Sequence, residues 1–484
     1  MRIAYLTGEY PRVTDTFIQR EVAALRQLGE ADGTTVSTFS VRSPAATQKL
    51  SLAQQEERGR TQYLLPAQPL TLLAAHAKRF AHQPKRYFQA LSLAWKTRQL
   101  GLRGSLYQLI YFLEAGLLAH QLNEQGIEHL HNHFGDSSCT VAMLASALGE
   151  FGYSFTLHGP GIFFEPHRWR LDEKISRAKF VSCISYFCRS QTMIFAPIET
   201  WPNLHIVHCG IDPQQFTEAS HKAPASSDDG QNTPRLLYVG RLAAAKGLPI
   251  LLRSLSTLKQ TYPTIQLTVV GDGSDRELLT SQVKELGLSK QVDFVGYQSP
   301  ESVRAYLQRS DVFVMSSFAE GVPVVLMEAM MSGLPVVATQ IAGVSELVED
   351  GVNGFLVPPS DVDALRNRIH TLLSDAALRE RLGQQGQQKV RHAFNIQTEA
   401  GKLYQLMGNV ISKTRPLLST LQSAGHQSGL SQNKPHQGGT STSPQVDRLV
   451  GSDRKLEQPA NLNAETSLSA EQALATTTPS ASTE

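Results

Sequence analysis

Residues 311–328 read Asp-Val-Phe-Val-Met-Ser-Ser-Phe-Ala-Glu-Gly-Val-Pro-Val-Val-Leu-Met-Glu. The apolar run Val312–Met315 predicts a buried strand, and Pro323 suits the first turn of a helix. Glu320 then lies in the loop between strand and helix, and Glu328 lies about a turn and a half into the helix. A strand, a short loop and a helix in this order form the repeating unit of a parallel sheet.

The same alternation extends over the rest of the second half of the chain. The predicted strands are Arg235–Val239, Gln266–Val270, Val292–Val295, Val312–Met315 and Val336–Ala338. The predicted helices are Pro249–Gln260, Asp275–Leu286, Glu301–Arg309 and Pro323–Ser332. Such a short, regular period is typical of a doubly wound, Rossmann-like domain.

The first half alternates less regularly. Its predicted strands are 1–8, His129–His131, Tyr153–Leu157 and Phe180–Ile184, and its predicted helices include Thr16–Leu28 and Ser138–Leu148. A polar break at 218–233 separates the halves and is interpreted as an exposed linker. We therefore predict an α/β protein with one Rossmann-like domain at 1–217 and a second at 234–395.

Composition narrows the class of protein. The chain has 484 residues, 41% of them apolar, and a net charge of +2, which excludes a highly basic nucleic-acid binder. The apolar run at the N-terminus is too short for a signal peptide, and no 18-residue uncharged apolar run occurs, so we expect a cytoplasmic protein. No Phe, Trp or Tyr follows Tyr404. Residues 413–484 are therefore predicted to be a disordered, low-complexity tail.

An insert at about 58–113 has an unusual charge pattern. It contains no Asp or Glu but nine basic residues, interleaved with aromatic and aliphatic side chains such as Phe88 and Trp95. This pattern is typical of helices that contact an anionic membrane or an anionic acceptor. The alternative is a solvated helical hairpin whose apolar side packs on the first domain.

Two loops of the second half combine charges with backbone amides. Gly240-Arg241-Leu-Ala-Ala-Ala-Lys246-Gly247 follows the first strand of that half, and its Arg and Lys form a cationic clamp suited to a diphosphate. The N–H groups of Gly321, Val322 and Val324 lie at a helix N-terminus, a site for oxyanions or hydroxyls. With two carboxylates nearby, these groups suit a polyhydroxylated, phosphate-bearing ligand. The alternatives are an ordinary basic loop and solvated carboxylates.

Histidines end two strands of the first half. His158 follows a predicted strand, and the carboxyl ends of strands are where open α/β sheets bind ligands. It can donate to a phosphate or a hydroxyl, and the alternative is a hydrogen-bonded structural histidine. His131 and His133, with Asp136 nearby, form the other group. No further cluster of metal ligands supports a metal site there, so we expect no metal or other cofactor.

Several common catalytic motifs are absent from the sequence. It has no G-x-x-x-x-G-K-[ST], no G-x-S-x-G and no H-E-x-x-H, which argues against a P-loop NTPase, a serine hydrolase of the nucleophile-elbow type and a zincin. Gly271-Asp-Gly273 begins like a dinucleotide fingerprint but lacks the third glycine.

These residues together resemble the retaining, nucleotide-sugar-dependent glycosyltransferases of family 4, which have the GT-B architecture of two Rossmann-like domains facing across a cleft. The matching elements span residues 1 to about 410 in the family's order. They are Gly240-Arg241…Lys246-Gly247, Val270–Gly273, Val295-Gly296, Ser316–Glu328, Pro335–Thr339 and Gly351–Pro358. The opening Glu9-Tyr10-Pro11…Thr16-Phe17-Ile18…Glu21 resembles a narrower branch, the exopolysaccharide and colanic-acid-type transferases.

The resemblance implies a role for each matching position. As catalytic groups, it implies His158 beside the sugar, Arg241 and Lys246 on the departing diphosphate, and Glu320 on the donor sugar. Further donor contacts would come from Gly8, Gly240, Gly296, Gly321, Val322, Val324 and Glu328, the last on the ribose. Acceptor-side candidates are Glu9, Thr16, Phe17 and His133. A helix at 396–412 would cross back to the first domain, and no metal would be required.

The implied function is transfer of a sugar from a UDP- or GDP-sugar to a glycan or lipid-linked acceptor, with retention of anomeric configuration. The chain departs from the family where Gly159-Pro-Gly161 follows His158, because an acidic residue is common there, and where Ala243–Ala245 replaces a polar or acidic pair. A nucleotide-sugar 2-epimerase and a non-catalytic nucleotide-sugar-binding protein are the alternatives. The intact Lys246 and Glu328 argue against the second.

Overall fold

Two parallel β-sheets, each flanked by helices, carry the fold in a computed structural model that describes residues 1–45, 50–217 and 233–427. Within Ile396–Gln427, side chains are described as far as Lys413. Residues Met1–Ser423 form one compact unit, and beyond it only the backbone of 424–427 is described. The two doubly wound sheets confirm the predicted fold class.

The first sheet has seven strands in the order β3-β2-β1-β4-β5-β6-β7. Their bounds are β1 Arg2–Glu9, β2 Thr35–Arg42, β3 Gln62–Leu65, β4 His129–His133, β5 Gly152–Leu157, β6 Val181–Cys183 and β7 Leu204–Ile206. The central strand β1 pairs with β2 on one side and β4 on the other. Its core residues are apolar and almost fully buried because helices cover both faces.

The second sheet has six strands in the order β10-β9-β8-β11-β12-β13. Their bounds are β8 Arg235–Val239, β9 Gln266–Val270, β10 Val292–Gly296, β11 Val312–Met315, β12 Val336–Thr339 and β13 Phe355–Val357. Here β8 is central, between β9 and β11. The strand order reverses beside the first strand of each sheet, between β1 and β4 and between β8 and β11, and such reversals open crevices at the carboxyl ends of the strands.

Eighteen helices are described around these sheets. In the first half they are α1 Thr16–Glu30, α2 Leu52–Arg60, α3 Pro69–His82, α4 Pro84–Lys96, α5 Leu102–Glu124, α6 Ser137–Leu148, α7 Gly161–Phe164, α8 Leu171–Arg177, α9 Tyr186–Phe195 and α10 Gln214–Thr217. In the second half they are α11 Leu248–Thr261, α12 Arg276–Glu285, α13 Pro300–Arg309, α14 Val324–Met331, α15 Val344–Leu347, α16 Val362–Ser374, α17 Ala376–Ala393 and α18 Ile396–Gln427.

Helix α18 returns the chain to the first sheet. Its apolar residues recur every three or four positions, at Ile396, Ala400, Leu403, Met407 and Ile411, and they share a buried cluster with Ile3 and Tyr5 of β1. The Tyr404 hydroxyl donates to the Asp32 carboxylate at 2.7 Å. The described backbone extends α18 to Gln427, beyond the expected end at 412. The composition change after Tyr404 is therefore not the end of the helix.

The chain passes between the halves at two places that lie side by side. Ile211 follows the first sheet and forms an isolated bridge with Asn395, just before α18. The Ile211 amide donates to the Phe394 carbonyl at 2.9 Å, and the Ile396 amide donates to the Ile211 carbonyl at 3.0 Å. The end of the second half is thus tied to residues that follow the first sheet.

Other sequence expectations need correction. Strands β2 and β3 were not among the predicted strands, and the insert at 58–113 includes β3 and most of the helices α3–α5 rather than one hairpin. Helix α14 begins at Val324, one residue after Pro323, which has extended backbone. Most of the linker at 218–233 lies outside the described residues, as does the tail beyond Gln427. In the described part of the chain, every helix is too short or too polar to cross a membrane.

Candidate active site between the two sheets

The loop after β8 is folded by a glycine and by the neighbouring loop. Its short 3-10 turn, Ala244–Lys246, ends at Gly247, which has φ +60° and precedes α11. A Cβ on Gly247 would lie 2.0 Å from the Ser316 carbonyl oxygen, so only glycine allows this approach. Ser316 follows β11 and its hydroxyl donates to the Gly247 carbonyl at 2.9 Å. The loops after β8 and β11 therefore form one unit at the crevice of the second sheet.

This unit holds the two charges that the sequence singled out. The Lys246 ammonium donates to Glu320 Oε1 at 2.6 Å, with 23% and 10% of the two side chains exposed. Arg241, in the same loop, is exposed. The structure thus brings Lys246 and Glu320 together, and leaves the Arg241 guanidinium on the solvent side of the loop.

The two halves approach closely at Gly321. A Cβ on Gly321 would lie 2.1 Å from the backbone carbonyl oxygen of His158, which follows β5 of the first sheet. Val322 is buried, and Val324 begins α14. Residues 320–324 therefore face His158 across the cleft, with the N-terminal end of α14 beside them. A side chain at position 321 would force the halves apart.

Glu328 is paired across the cleft with a residue that the sequence did not single out. Arg20 Nη2 in α1 donates to Glu328 Oε1 at 2.6 Å, and the side chains are 14% and 15% exposed. The second amino nitrogen of Arg20, Nη1, is buried without a partner among the described residues. The two residues are 308 positions apart in the sequence, so no local sequence pattern reveals this pair.

Behind His158, a chain of polar side chains runs into the first half. His158 Nε2 lies 2.7 Å from His133 Nδ1, and His133 Nε2 lies 3.2 Å from Glu21 Oε1. The buried Tyr5 hydroxyl donates to the same Glu21 oxygen at 2.8 Å. Because a carboxylate only accepts, it favours a proton on His133 Nε2, so that His133 Nδ1 accepts from His158 Nε2. His158 Nδ1 then accepts from the Cys209 thiol, 3.5 Å away.

The imidazole of His158 is neutral in this arrangement. Burial lowers its pKa well below the usual value, and the neighbouring His133 lowers it further. The rings of Phe17 and Phe134 lie 4.6 and 5.1 Å from the His158 ring, measured between centroids. The acceptor-side candidates Phe17 and His133 are therefore in contact with His158.

Glu21, His131 and His133 place ligand atoms within 4.8 Å of one another, which raises the question of a metal. Both ring nitrogens of His131 already have partners, the Ser154 hydroxyl at 2.7 Å and the Thr156 hydroxyl at 2.9 Å. The Glu21 carboxylate accepts from the Tyr5 hydroxyl, whereas His133 Nε2 is buried without a hydrogen-bond partner among the described residues. The hydrogen bonds of His131 would compete with a metal ion at this cluster.

The remaining predicted donor residues lie at the carboxyl ends of several strands. Gly8 is near the end of β1, Gly240 follows β8, and Gly296 ends β10 with φ +71°. A Cβ on Gly240 would lie 3.0 Å from the Tyr238 hydroxyl oxygen. That hydroxyl is buried without a partner among the described residues, and burial and the charge of Glu320 raise its pKa. Tyr238 is a site residue that strand periodicity concealed.

The last two acceptor-side candidates are more peripheral. Glu9 ends β1, pairs in register with Arg42 of β2, and lines a cavity of the first half. Thr16 is the first residue of α1. Neither is among the described contacts of His158. The structure thus gathers His158, Lys246, Glu320, Gly321 and Glu328 around one cleft, with Glu9 and Thr16 at its side.

Comparisons with known proteins show which families these features resemble. Residues 220–389 match the model of the family "Glycosyl transferases group 1". The amylovoran biosynthesis glycosyltransferase AmsK of Erwinia amylovora is 26% identical over 381 residues, 75% of this chain and 89% of AmsK. The putative colanic acid biosynthesis glycosyltransferase WcaL of Salmonella typhimurium is 31% identical over 214 residues, 42% of this chain and half of WcaL.

Solved structures agree on the fold. Anabaena Alr3699/HepE, crystallised with UDP, matches with a TM-score of 0.64 at 19% identity over 84% of this chain and 100% of that one. Sucrose-phosphate synthase from Thermosynechococcus elongatus matches with a TM-score of 0.62 at 22% identity over 85% of this chain and all of that chain. The chain therefore has the GT-B fold, and its residues 220–389 are similar to the glycosyl transferases group 1, as are the matched proteins of amylovoran and colanic acid biosynthesis.

Proposed function

We propose that the protein transfers a sugar from a nucleotide-diphosphate sugar, a UDP- or GDP-sugar, to a glycan or lipid-linked acceptor in polysaccharide biosynthesis, with retention of anomeric configuration. The observation that carries the proposal is the Lys246–Glu320 pair in the crevice of the second sheet. It lies next to Gly321, which touches the His158 backbone of the first half. One cation, one carboxylate and a helix N-terminus at a cleft are the groups that a sugar diphosphate requires.

The residues divide the work of the reaction. Lys246 and Arg241 bind the diphosphate and neutralise the charge that grows on it as the bond from sugar C1 to phosphate oxygen breaks. The acceptor hydroxyl forms its bond to C1 on the same face, and its proton passes to the departing phosphate oxygen. Glu320 accepts hydrogen bonds from the donor sugar, and Glu328 accepts them from the ribose. These cations make a metal unnecessary, so we propose that no cofactor is needed.

His158 acts as a neutral, oriented group in this proposal. Both of its ring nitrogens are engaged, by His133 and Cys209, and its carbonyl oxygen faces Gly321. It therefore positions the wall of the sugar site rather than exchanging a proton with the substrate. Glu21 and His133 are positioning residues behind it.

We further propose a peripheral contact with anionic membrane through 58–113. Helices α4 and α5 line an exposed groove whose wall is almost wholly apolar, including Phe88, Leu91, Trp95, Leu106 and Leu109. The Arg98 guanidinium lies 3.8 Å from the centre of the Trp95 ring at the same groove. Apolar side chains edged by cations are suited to the headgroup region of an anionic bilayer.

The test is a transfer screen. Purified protein would be incubated with UDP- and GDP-sugars and with lipid-linked or glycan acceptors, and nucleoside diphosphate release and product would be measured. We expect acceptor-dependent release and a product whose anomeric configuration, read by NMR, matches that of the donor. Conversion of the donor to its C2 epimer without an acceptor would favour the epimerase. Donor binding without turnover across the screen would favour a non-catalytic binding protein.

A further inference from the structure

The first half contains a cavity of about 640 Å³ at the carboxyl ends of β1 and β2. Its wall is formed by the loop after β1, the end of β2, the start of α6, helix α5 and the segment before α8. It lies on the reversal of the first sheet, between β1 and β4, where open α/β sheets bind ligands. Gly8 and Glu9, at the end of β1, line this cavity.

Four arginines line this cavity: Arg12, Arg42, Arg103 and Arg168. The carboxyl groups among its lining residues belong to Glu9 and Glu114. Glu114 is 3% exposed, and burial raises its pKa to about 7, although the nearby Arg42 opposes the shift. The Glu114 carboxyl is thus only partly charged at neutral pH. The cavity carries an excess of guanidinium groups.

Two of the arginines are partly committed to neighbours. Arg12 lies 3.7 Å from the Asp15 carboxylate, and Arg168 donates to Glu165 at 2.8 and 3.0 Å. The guanidinium carbon of Arg103 lies 5.6 Å from the centre of the Tyr107 ring, a contact that does not use the N–H groups of Arg103 as donors to a carboxylate. Arg42 and Arg103, from β2 and α5, are therefore the guanidiniums best placed to receive a bound oxyanion.

Apolar side chains border the same cavity. Leu100 lines it and is 93% exposed, as is Leu102 at the start of α5. Along α5, Arg103, Tyr107 and Tyr111 face the cavity, whereas Leu106 and Leu109 line the apolar groove on another side. One helix thus joins a cationic cavity to an apolar surface.

We propose that this cavity binds an oxyanion group of the acceptor, a phosphate or a carboxylate, through Arg42 and Arg103. The inference rests on the proposed function, because it names the chemical class of the acceptor. Guanidinium groups pair with either anion in the same bidentate geometry. The phosphate of a prenyl carrier and the carboxylate of an acidic sugar are the two sources of that chemistry.

The experiment measures binding of four probes to full-length protein saturated with UDP, so that the donor site is occupied. The probes are farnesyl diphosphate, its neutral match farnesol, a disaccharide containing a hexuronic acid, and a neutral disaccharide. We expect a charged probe to bind at least tenfold more tightly than its neutral match. The double variant Arg42→Gln, Arg103→Gln should bind that charged probe more weakly, by at least tenfold for each guanidinium hydrogen bond that is lost. The matched control is Arg253→Gln on the exposed surface of α11.

The outcomes separate the sources and the hypotheses. Preference for farnesyl diphosphate identifies a phosphate group, and preference for the hexuronic acid identifies a carboxylate. Equal binding of charged and neutral probes, or full binding by the double variant, would overturn the proposal. A UDP titration of the double variant and of the Arg253→Gln control reports on the donor site alone. We expect both proteins to bind UDP with wild-type affinity. Failure of the wild-type protein to bind either UDP or GDP would instead count against the proposed function; if it binds only GDP, GDP replaces UDP in these experiments. The two single variants are measured as well. If their melting temperatures equal that of the wild type, weaker binding of the probe is not caused by misfolding.

Discussion

The two halves of the molecule share a sheet topology but build their sites differently. In the second half, Lys246 and Glu320 come from loops after two adjacent strands, β8 and β11, 74 residues apart. In the first half, the cavity combines two strand ends with residues of α5 and of the segment before α8. The donor side is thus a regular repeat with charged loops, and the acceptor side is a regular sheet remodelled by an insert.

This difference teaches where each kind of specificity resides. In the proposed function, the diphosphate is bound by short loops whose geometry follows from the strand–helix repeat. The acceptor and membrane contacts are proposed for α3–α5, whose charge and apolar exposure are independent of the repeat. Changes in the second half should therefore affect chemistry, and changes in the insert should affect location and acceptor choice.

The largest expected effect is on chemistry in the second half. Lys246→Ala should lower kcat/KM about 1000-fold, because the leaving diphosphate loses a preorganised cation and Glu320 loses its partner. Steady-state assays with a responsive donor would measure it. Lys259→Ala on α11 is the control and should keep wild-type turnover. Near wild-type activity of the Lys246 variant would contradict the assigned clamp.

The next effect concerns stability in the first half. Glu114 has an ordinary pKa of 4.5 when unfolded and about 7 when folded, so the folded state binds the extra proton between these values. Stability is therefore lost as pH rises through this interval. Between about pH 4.5 and pH 8, the wild type should lose about 3 kcal/mol relative to Glu114→Gln. Urea unfolding of both proteins at the two pH values would measure it, and parallel pH curves would refute the assignment.

A smaller effect should distinguish the two halves by their affinity for an anionic membrane surface. Replacing Lys85, Lys96 and Arg98 by Gln should weaken sedimentation with anionic liposomes about 30-fold, since each cation near such a surface contributes up to about 1 kcal/mol. The matched control replaces Lys284, Lys290 and Arg381, exposed cations of the second half. Equal loss in the two variants, or none in either, would reject a membrane surface on α4–α5.

The smallest effect tests the pair that joins the halves. Arg20 occupies the Glu328 carboxylate that the ribose would need, so Arg20→Gln should tighten UDP binding about fivefold by removing a competitor. Isothermal titration calorimetry measures the change, and Arg26→Gln, in the same helix, is the control. Weaker UDP binding in the Arg20 variant would mean that Arg20 contacts the nucleotide itself.

Much of the fold was predictable because local patterns specify it. The predicted range of β8, Arg235–Val239, coincides with the observed strand, as do those of β9 and β11. Buried parallel strands bounded by glycine-rich loops are a strong signal. Strand β2, by contrast, mixes Thr and Ser with its apolar residues, and its place beside β1 is a long-range property.

The site was predictable only in its local parts. The loop residues Arg241, Lys246 and Glu320 follow from motif and helix-terminus chemistry. Which side chains pair depends on the tertiary structure. Lys246 pairs with Glu320, whereas Glu328 pairs with Arg20 from the other half. Tyr238 and Glu114 read as ordinary strand and helix residues, since their unusual environments arise from burial. A sequence pattern does not report burial of a polar group that sits among apolar neighbours.

The side-by-side crossings at Ile211 and Asn395 set the mechanics of the molecule. One amide–carbonyl bond in each direction holds Ile211, from the end of the first half, against the residues that precede α18. A few residues at the ends of elements are where hinges between domains are found. The loops that carry Gly321 and His158 should therefore return to the same register after every opening, without a separate guide.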